Sequence, residues 1–176
     1  SMQLLISEVV KIYNSLVAGE QIQSTKLNIQ YKDYALWMES EKQKTQHQQA
    51  RDYWLEQFNG TLPTIEVPSF KKRPRIQTYN GNNISHTFSP AFSENLSAFS
   101  RKQEVTLFMT LLSGIKALLY RYTDQNDLII GTPVAGREHP DLENQLGLYL
   151  NTLAIRTKII PGSGFEEILR QEKDAL

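Results

Sequence analysis

The first segment of the chain repeats apolar positions at the spacing of an α-helix. Residues three or four positions apart share one helical face, so the pattern predicts an amphipathic helix over residues 2–17. Its apolar face needs a partner to pack against. The apolar positions are Leu4, Leu5, Val9, Ile12, Tyr13 and Leu16.

Three further segments carry helical signals. Residues 31–58 are predicted to form one helix, with apolar positions at both ends and an almost wholly polar middle. Ser89 followed by Pro90 is typical of a helix start, with serine as the N-cap. Residues 105–122 give the strongest pattern, with Thr106 as the expected N-cap and a broad apolar face that predicts a core helix. The apolar positions of that face are Phe108, Leu111, Leu112, Ile115, Leu118, Leu119 and Tyr122.

Short apolar runs predict three strands. Residues 84–88 alternate apolar and polar side chains, and residues 128–130 and 148–159 flank a loop at 132–144. A last helix begins at Phe165. The order α–α–β–α–α–β–β–α predicts a layered α/β or α+β domain. Because the sequence starts as if already inside a helix and stops within the last one, whose apolar face is incomplete, we expect it to be cut from a longer sequence.

Composition excludes several classes of protein. The 176 residues are 40% hydrophobic and 22% charged, which is typical of a globular domain. Basic and acidic residues number 19 each, so no global charge draws nucleic acid or an anionic membrane, and neither partner is expected. A basic run in a proline-containing loop is interpreted as solvated: Lys71, Lys72, Arg73 and Arg75. The absence of cysteine excludes disulfides and fits a reducing compartment, so a cytoplasmic location is expected.

No complete catalytic or metal-binding motif is found. The sequence contains no GxxxxGK[ST], GxGxxG, GxSxG or HExxH pattern. His47, His86 and His139 are isolated, so no metal site is predicted. The residues alone therefore indicate no acid–base machinery.

The segment 127–159 is the strongest candidate for a site. Gly131, Pro133 and Gly136 allow its backbone to bend. Arg156 is a cation that would need a carboxylate if buried, and Asn151 is a polar amide in an apolar strand, so it needs partners or lines a cavity. Two interpretations stay open for both residues: a satisfied polar group at a strand edge, or a functional role.

Two long motifs resemble the condensation domains of nonribosomal peptide synthetases. Residues 130–156 read IGTPVAGREHPDLENQLGLYLNTLAIR, similar to the family pattern GTPxAGR followed by xGxFxNTLxxR. Tyr149 stands where phenylalanine is common. Residues 31–37, YKDYALW, resemble the family motif YxDYAxW. The resemblance covers essentially the whole chain.

The resemblance implies a chloramphenicol-acetyltransferase-like fold, truncated at both ends. It implies a helix from the end of the first lobe (1–20), an inter-lobe connection with a long helix (21–80) and an incomplete second lobe (81–176). The catalytic HHxxxDG motif of the family is absent from the sequence. We therefore expect the sequence to begin just after that motif, to contain no catalytic residue, and to be inactive alone.

The resemblance also implies the chemistry of the parent domain, which is amide formation between a donor acyl or peptidyl thioester and an acceptor amine. Both are carried on 4′-phosphopantetheine of peptidyl carrier protein domains, and no cofactor is bound directly. Further implied partners are an adjacent adenylation domain and the missing first lobe. Alternatives are an epimerisation or ester-forming relative, or a non-catalytic lobe that only scaffolds or docks carrier proteins.

The resemblance assigns two groups of residues. One group is predicted to shape the substrate tunnel or to support the histidine loop, in part by pairing with the aspartate of its motif: Arg137, Tyr149, Asn151, Thr152 and Arg156. The other is predicted to be structural: Tyr31, Asp33, Tyr34, Trp37, Gly131, Pro133, Gly136 and Gly147.

Overall fold

The computed structural model of the chain describes residues 2–22, 26–70 and 74–176. Lys71, Lys72 and Arg73 of the basic run lie outside these residues. The elements in chain order are α1 (Met2–Val17), α2 (Tyr31–Met38), α3 (Glu41–Gln57), α4 (Pro90–Lys102), α5 (Leu107–Thr123), β1 (Asp127–Val134), α6 (Pro140–Glu143), β2 (Asn151–Lys158) and α7 (Phe165–Ala175).

The predicted starts of α4 and α5 are confirmed. The Ser89 hydroxyl accepts a hydrogen bond from the backbone N–H of Phe92 at 3.3 Å. The Thr106 hydroxyl accepts one from Met109 N–H at 3.2 Å. Each N-cap satisfies a donor that the first helical turn would otherwise leave unpaired.

Two sequence predictions of regular structure are wrong. The helix predicted over 31–58 is two helices, because Ser40 takes an extended backbone conformation with ψ of 154° and ends the helical run. The strand predicted over 84–88 is absent, although this segment is described. Ile84 is 98% exposed, so the apolar side chains of this alternating segment do not pack against a sheet. Alternation alone does not supply the neighbouring strand that a sheet requires.

β1 and β2 form a two-stranded antiparallel sheet. β1 is longer than predicted, since Gly131 and Pro133, which the sequence assigned to the edge of a loop, belong to it. β2 is shorter, since residues 148–150 precede it. The predicted loop 132–144 also contains the short helix α6.

The chain divides into two compact units, and each strand contributes residues to both. Unit 1 comprises Ser1–Thr61 and Gly131–Leu153, and unit 2 comprises Leu62–Ile130 and Ala154–Leu176. The core of unit 2 is formed by Leu128, Ile159 and Ile168. The predicted division into 1–20, 21–80 and 81–176 stays a prediction.

The predicted packing of α5 needs correction. Only Leu112 of its predicted apolar face is fully buried, and the other fully buried residues are Thr110, Ser113 and Lys116. Most of the predicted face is half exposed, including Phe108 and Leu118. The apolar surface of α5 is therefore wider than the part that the packed elements of this chain bury. Helix α1 behaves similarly, because none of its residues is buried.

Candidate functional site

Most of the predicted site residues lie in unit 1. Arg156 alone among the thirteen lies in unit 2. The unit 1 residues are Tyr31, Asp33, Tyr34, Trp37, Gly131, Pro133, Gly136, Arg137, Gly147, Tyr149, Asn151 and Thr152.

Tyr149 is the centre of an aromatic cluster in unit 1. Its side chain packs edge-on against Tyr34, with ring centroids 4.9 Å apart, and against Tyr31, at 5.4 Å. Its hydroxyl donates to Gln145 Oε1 at 2.6 Å, and Gln145 Nε2 donates to the carbonyl of Ile29 at 2.6 Å. Tyr149 is only 6% exposed, and this burial raises the pKa of its hydroxyl. The two sequence motifs therefore pack against each other.

Arg137 is held by the same cluster. Its guanidinium carbon lies 4.2 Å from the centroid of the Tyr149 ring, a cation–π arrangement. Its Nη1 donates a hydrogen bond to the carbonyl oxygen of Leu142 in α6. Arg137 therefore connects α6 to the aromatic cluster. These contacts support the loop that follows β1.

Two glycines allow this close packing. Gly136 has a φ of +61°, which disfavours other residues, and a Cβ there would collide with the carbonyl oxygen of Tyr149. At Gly147 a Cβ would lie 2.5 Å from a ring carbon of Tyr31. The Tyr31 hydroxyl also donates to the carbonyl of Leu148 at 3.2 Å. Tyr31 therefore covers the backbone of residues 147–148.

Asp33 stabilises the start of α2. Its Oδ2 accepts a hydrogen bond from the backbone N–H of Gln30 at 2.8 Å. A carboxylate in the first turn also interacts favourably with the helix dipole. This aspartate therefore has a local structural role in the arrangement.

Asn151 and Thr152 begin β2 and are both exposed. The Oδ1 atom of Asn151 accepts a hydrogen bond from the backbone N–H of Thr152 at 2.8 Å. This arrangement matches the first of the two interpretations of Asn151, a satisfied polar group at a strand edge, and its functional role stays a prediction. Because β2 starts at this residue, its side chain lies at the strand end, where a polar group remains hydrated.

Arg156 pairs with a carboxylate that sequence reasoning did not identify. Its Nε donates to Asp127 Oδ1 at 2.9 Å and its Nη2 to Oδ2 at 2.6 Å. The Arg156 side chain is 8% exposed and that of Asp127 is 25% exposed. The hydrogen bonds from Arg156 hold the pKa of Asp127 below its ordinary value. The available signal was an arginine within an apolar strand, since such a charge needs a carboxylate, and Asp127 is the first residue of the neighbouring strand β1.

A fully buried ion pair in unit 2 was also missed. Lys116 Nζ lies 2.7 Å from Glu172 Oε2 and donates to Thr157 Oγ1 at 2.6 Å. Both charged side chains are completely buried, and burial lowers the pKa of Lys116 against the opposing effect of Glu172. The available signal was a lysine within the apolar pattern of α5, since a buried charge needs a partner.

The described residues bring together no metal-binding group. Within residues 2–22, 26–70 and 74–176, no cluster of three or more His, Cys, Asp or Glu could hold an ion. In the same ranges, no helix has the length and apolar character needed to cross a bilayer. The predicted site residues with polar side chains form hydrogen bonds that stabilise strands, loops and a helix start.

Known proteins resemble this chain along its whole length. A linear gramicidin synthase of Brevibacillus parabrevis is 36% identical over 174 residues, covering 99% of this chain and 3% of the relative. A plipastatin synthase of Bacillus subtilis (strain 168) is 39% identical over 171 residues, covering 97% of this chain and 5% of the relative. The chain thus spans a small part of the relatives that it matches.

Solved structures share the fold. The first condensation domain of the CDA synthetase superposes with a TM-score of 0.75 at 18% identity, covering 98% of this chain and 38% of that structure. The X-domain in complex with OxyB from teicoplanin biosynthesis gives 0.85 at 20% identity, covering 99% and 39%. These matches confirm the predicted α/β, chloramphenicol-acetyltransferase-like fold class. A family profile described as "Condensation domain" matches residues 1–176. The chain therefore belongs to the condensation domain family.

Proposed function

We propose that this chain works as part of a condensation domain in a nonribosomal peptide synthetase. The reaction is amide formation, in which an acceptor amine attacks a donor acyl or peptidyl thioester and releases the donor thiol. The family match over residues 1–176 carries this proposal. The synthetase relatives, at 36% and 39% identity, support it.

The proposed partners follow from this reaction. A donor and an acceptor peptidyl carrier protein present their substrates on 4′-phosphopantetheine, and an adenylation domain lies in the same cytoplasmic assembly. The remaining lobe of the condensation domain supplies the HHxxxDG histidines, because the 176-residue sequence contains no such motif. The isolated chain is accordingly inactive in amide formation.

The geometry suggests different roles for the five predicted tunnel or support residues. Arg137 and Tyr149 hold the aromatic cluster, and Arg156 holds the strand pair through Asp127, so these three act as supports. Asn151 and Thr152 are exposed at the start of β2 and are the better candidates for contact with substrate. An aspartate from another part of the domain is not needed to neutralise Arg156, because Asp127 already does so.

Peptide formation on a complete module that carries this chain tests the proposal. Donor and acceptor carriers are loaded, and dipeptidyl carrier is measured by mass spectrometry. Amide product is expected, and Asn151→Ala is expected to reduce its rate by about 10-fold or more. Asn95→Ala, an exposed asparagine of α4, is the matched control and should keep the wild-type rate.

The outcomes separate the two levels of the proposal. Absence of amide from the wild-type module contradicts the proposed reaction. Wild-type rates for Asn151→Ala contradict only the role of that residue. Amide product from the isolated 176-residue chain with loaded carriers contradicts its proposed inactivity.

A second candidate is a domain that binds a partner protein without catalysing condensation. The TM-score of 0.85 with an X-domain that was solved in complex with OxyB favours this candidate. Loaded carriers distinguish the two functions, because a binding domain would form a complex without releasing amide product.

A further inference from the structure

A cavity of about 360 Å³ in unit 1 has apolar and aromatic walls. Trp37, on the last turn of α2, is 48% exposed, whereas Leu142 of α6 is almost completely buried. This volume is near the lower end of the range for ligand sites, about 300–1,000 Å³, and suits one side chain or a small ligand. The apolar lining residues are Ile29, Tyr34, Trp37 and Leu142.

The polar residues of the cavity carry negative charge. Asp33 and Asp141 line it, and no lysine or arginine is among the lining residues that the structure describes. Asp33 is fixed by the N–H of Gln30, and Asp141 Oδ1 accepts from Asn28 Nδ2 at 2.9 Å. Both carboxylates are therefore positioned before any ligand arrives.

His139 also lines the cavity and caps the start of α6. Its Nδ1 accepts a hydrogen bond from the backbone N–H of Asp141 at 3.2 Å. The same ring nitrogen lies 3.6 Å from Asp141 Oδ2. The cavity thus combines an exposed indole, aliphatic walls and two carboxylates.

This combination matches a particular ligand chemistry. Arginine has an aliphatic stem that packs on apolar walls and a planar cation that stacks on aromatic rings and binds carboxylates in bidentate fashion. Exposed tryptophan and arginine are also enriched at the energetic centres of protein interfaces. Most of the length of the related synthetases lies outside the matched part, so such proteins offer many segments as partners.

We propose that the cavity between α2 and α6 binds an arginine side chain that a protein segment presents next to an apolar residue. The carboxylates recognise the guanidinium, Trp37 stacks on it, and Ile29 and Leu142 contact the apolar neighbour. The site is independent of the proposed amide formation, since none of these residues is placed in that reaction.

A matched pair of dipeptides tests the proposal. N-acetyl-Leu-Arg-amide and its neutral isostere N-acetyl-Leu-citrulline-amide are titrated into the ¹⁵N-labelled chain, and the indole N–H signals of both tryptophans are followed. Saturable shifts of the Trp37 signal are expected below about 10 mM, with citrulline binding at least about 5-fold more weakly. The Trp54 signal should stay unchanged and so reports that the fold is intact.

Variants assign the effect to the cavity. Asp141→Asn keeps an acceptor for Asn28 and should remove the preference for arginine, whereas Trp37→Leu should weaken both peptides. Asp52→Asn, on the exposed surface of α3, is the control and should keep the preference.

Four results would overturn the proposal, and three of them come from the dipeptide titrations. They are no saturable shift of the Trp37 signal, equal binding of the two dipeptides, and equal loss of preference in Asp52→Asn. A fourth is n-butylguanidinium binding as tightly as the dipeptide, which would indicate a site for a small cation rather than a protein segment.

Discussion

Tyr149 has a hydrogen bond that the phenylalanine common at this family position cannot form. Its hydroxyl donates to Gln145 Oε1, and Gln145 in turn holds the carbonyl of Ile29. A tyrosine at this position therefore adds a polar connection to an otherwise aromatic contact. The side-chain amide of Gln145 depends on this partner because it is almost completely buried.

Replacing Tyr149 with phenylalanine should destabilise unit 1. The change leaves the buried Gln145 Oε1 without its donor, and an unsatisfied buried polar group costs about 1–3 kcal/mol. Urea unfolding followed by tryptophan fluorescence measures the loss, since both tryptophans lie in unit 1. The double variant Tyr149→Phe, Gln145→Leu should recover part of it. A single variant as stable as the wild type would contradict the importance of this bond.

The Asp127–Arg156 pair should make stability depend on pH in acid. Because the folded state lowers the pKa of Asp127, the folded protein binds that proton less readily than the unfolded chain. The stabilisation is fully present above the ordinary value of 3.8 and is lost as pH falls through the lower folded pKa.

Urea unfolding of the wild type and of Asp127→Asn over a pH series measures this effect. Their difference in the free energy of unfolding should shrink as pH falls below about 4. The same comparison in an Arg156→Gln background is the control and should lose most of this pH dependence. A pH-independent difference in the wild-type background would contradict the linkage.

Three elements of unit 2 meet at one buried charge. Lys116 of α5 contacts Thr157 of β2 and Glu172 of α7, and both of its partners are also buried. Thr157 Oγ1 also lies 3.5 Å from Glu172 Oε2. These contacts specify how the two helices pack on the strand, because a shift of either helix would leave a charge unpaired and a shift of β2 would break the hydrogen bond to Thr157.

Removing one partner of this pair should be costly. Lys116→Met leaves Glu172 buried without its cation, and breaking a buried pair costs about 3–5 kcal/mol. Chemical unfolding followed by circular dichroism gives the value. The double variant Lys116→Met, Glu172→Leu should be clearly more stable than Lys116→Met, because it leaves no buried charge. Equal stability of the single and double variants would show that the charge itself is unimportant.

At the scale of the whole molecule, balanced charge combines with exposed apolar surface. Basic and acidic residues are equal in number, and the sequence has a pI near 6.8. Helix α1 exposes Ile6, Val10 and Val17, among other apolar side chains. Low net charge removes the repulsion that keeps proteins apart, and exposed apolar patches promote association.

The chain should therefore associate most strongly near pH 6.8. Light scattering should fall as pH is raised toward about 9, where net negative charge separates the molecules. Ile6→Gln with Val10→Gln should lower scattering near the pI, whereas Ile84→Gln, an exposed apolar residue outside the helices, should change it little. Scattering that is equal at both pH values would contradict this prediction.

Local features of the fold were predictable from the sequence. The caps at Ser89 and Thr106 depend on residues three positions away, so the sequence carries their full signal. Long-range features were not predictable in the same way. Asp127 could not be assigned to Arg156 without the strand register, and the alternation around Ile84 did not reveal that no strand pairs with it. The motif residues were found by resemblance, but their mutual packing required coordinates.

The contact of Tyr31 with Gly147 has a consequence for recombination between related synthetases. These residues are far apart in the chain, yet a side chain at position 147 would occupy the space of the Tyr31 ring. Substitutions at positions 31 and 147 should therefore be correlated among related synthetases. A chimaera that takes residues 31–37 from one parent and 136–149 from another keeps a compatible pair only if both parents carry this combination.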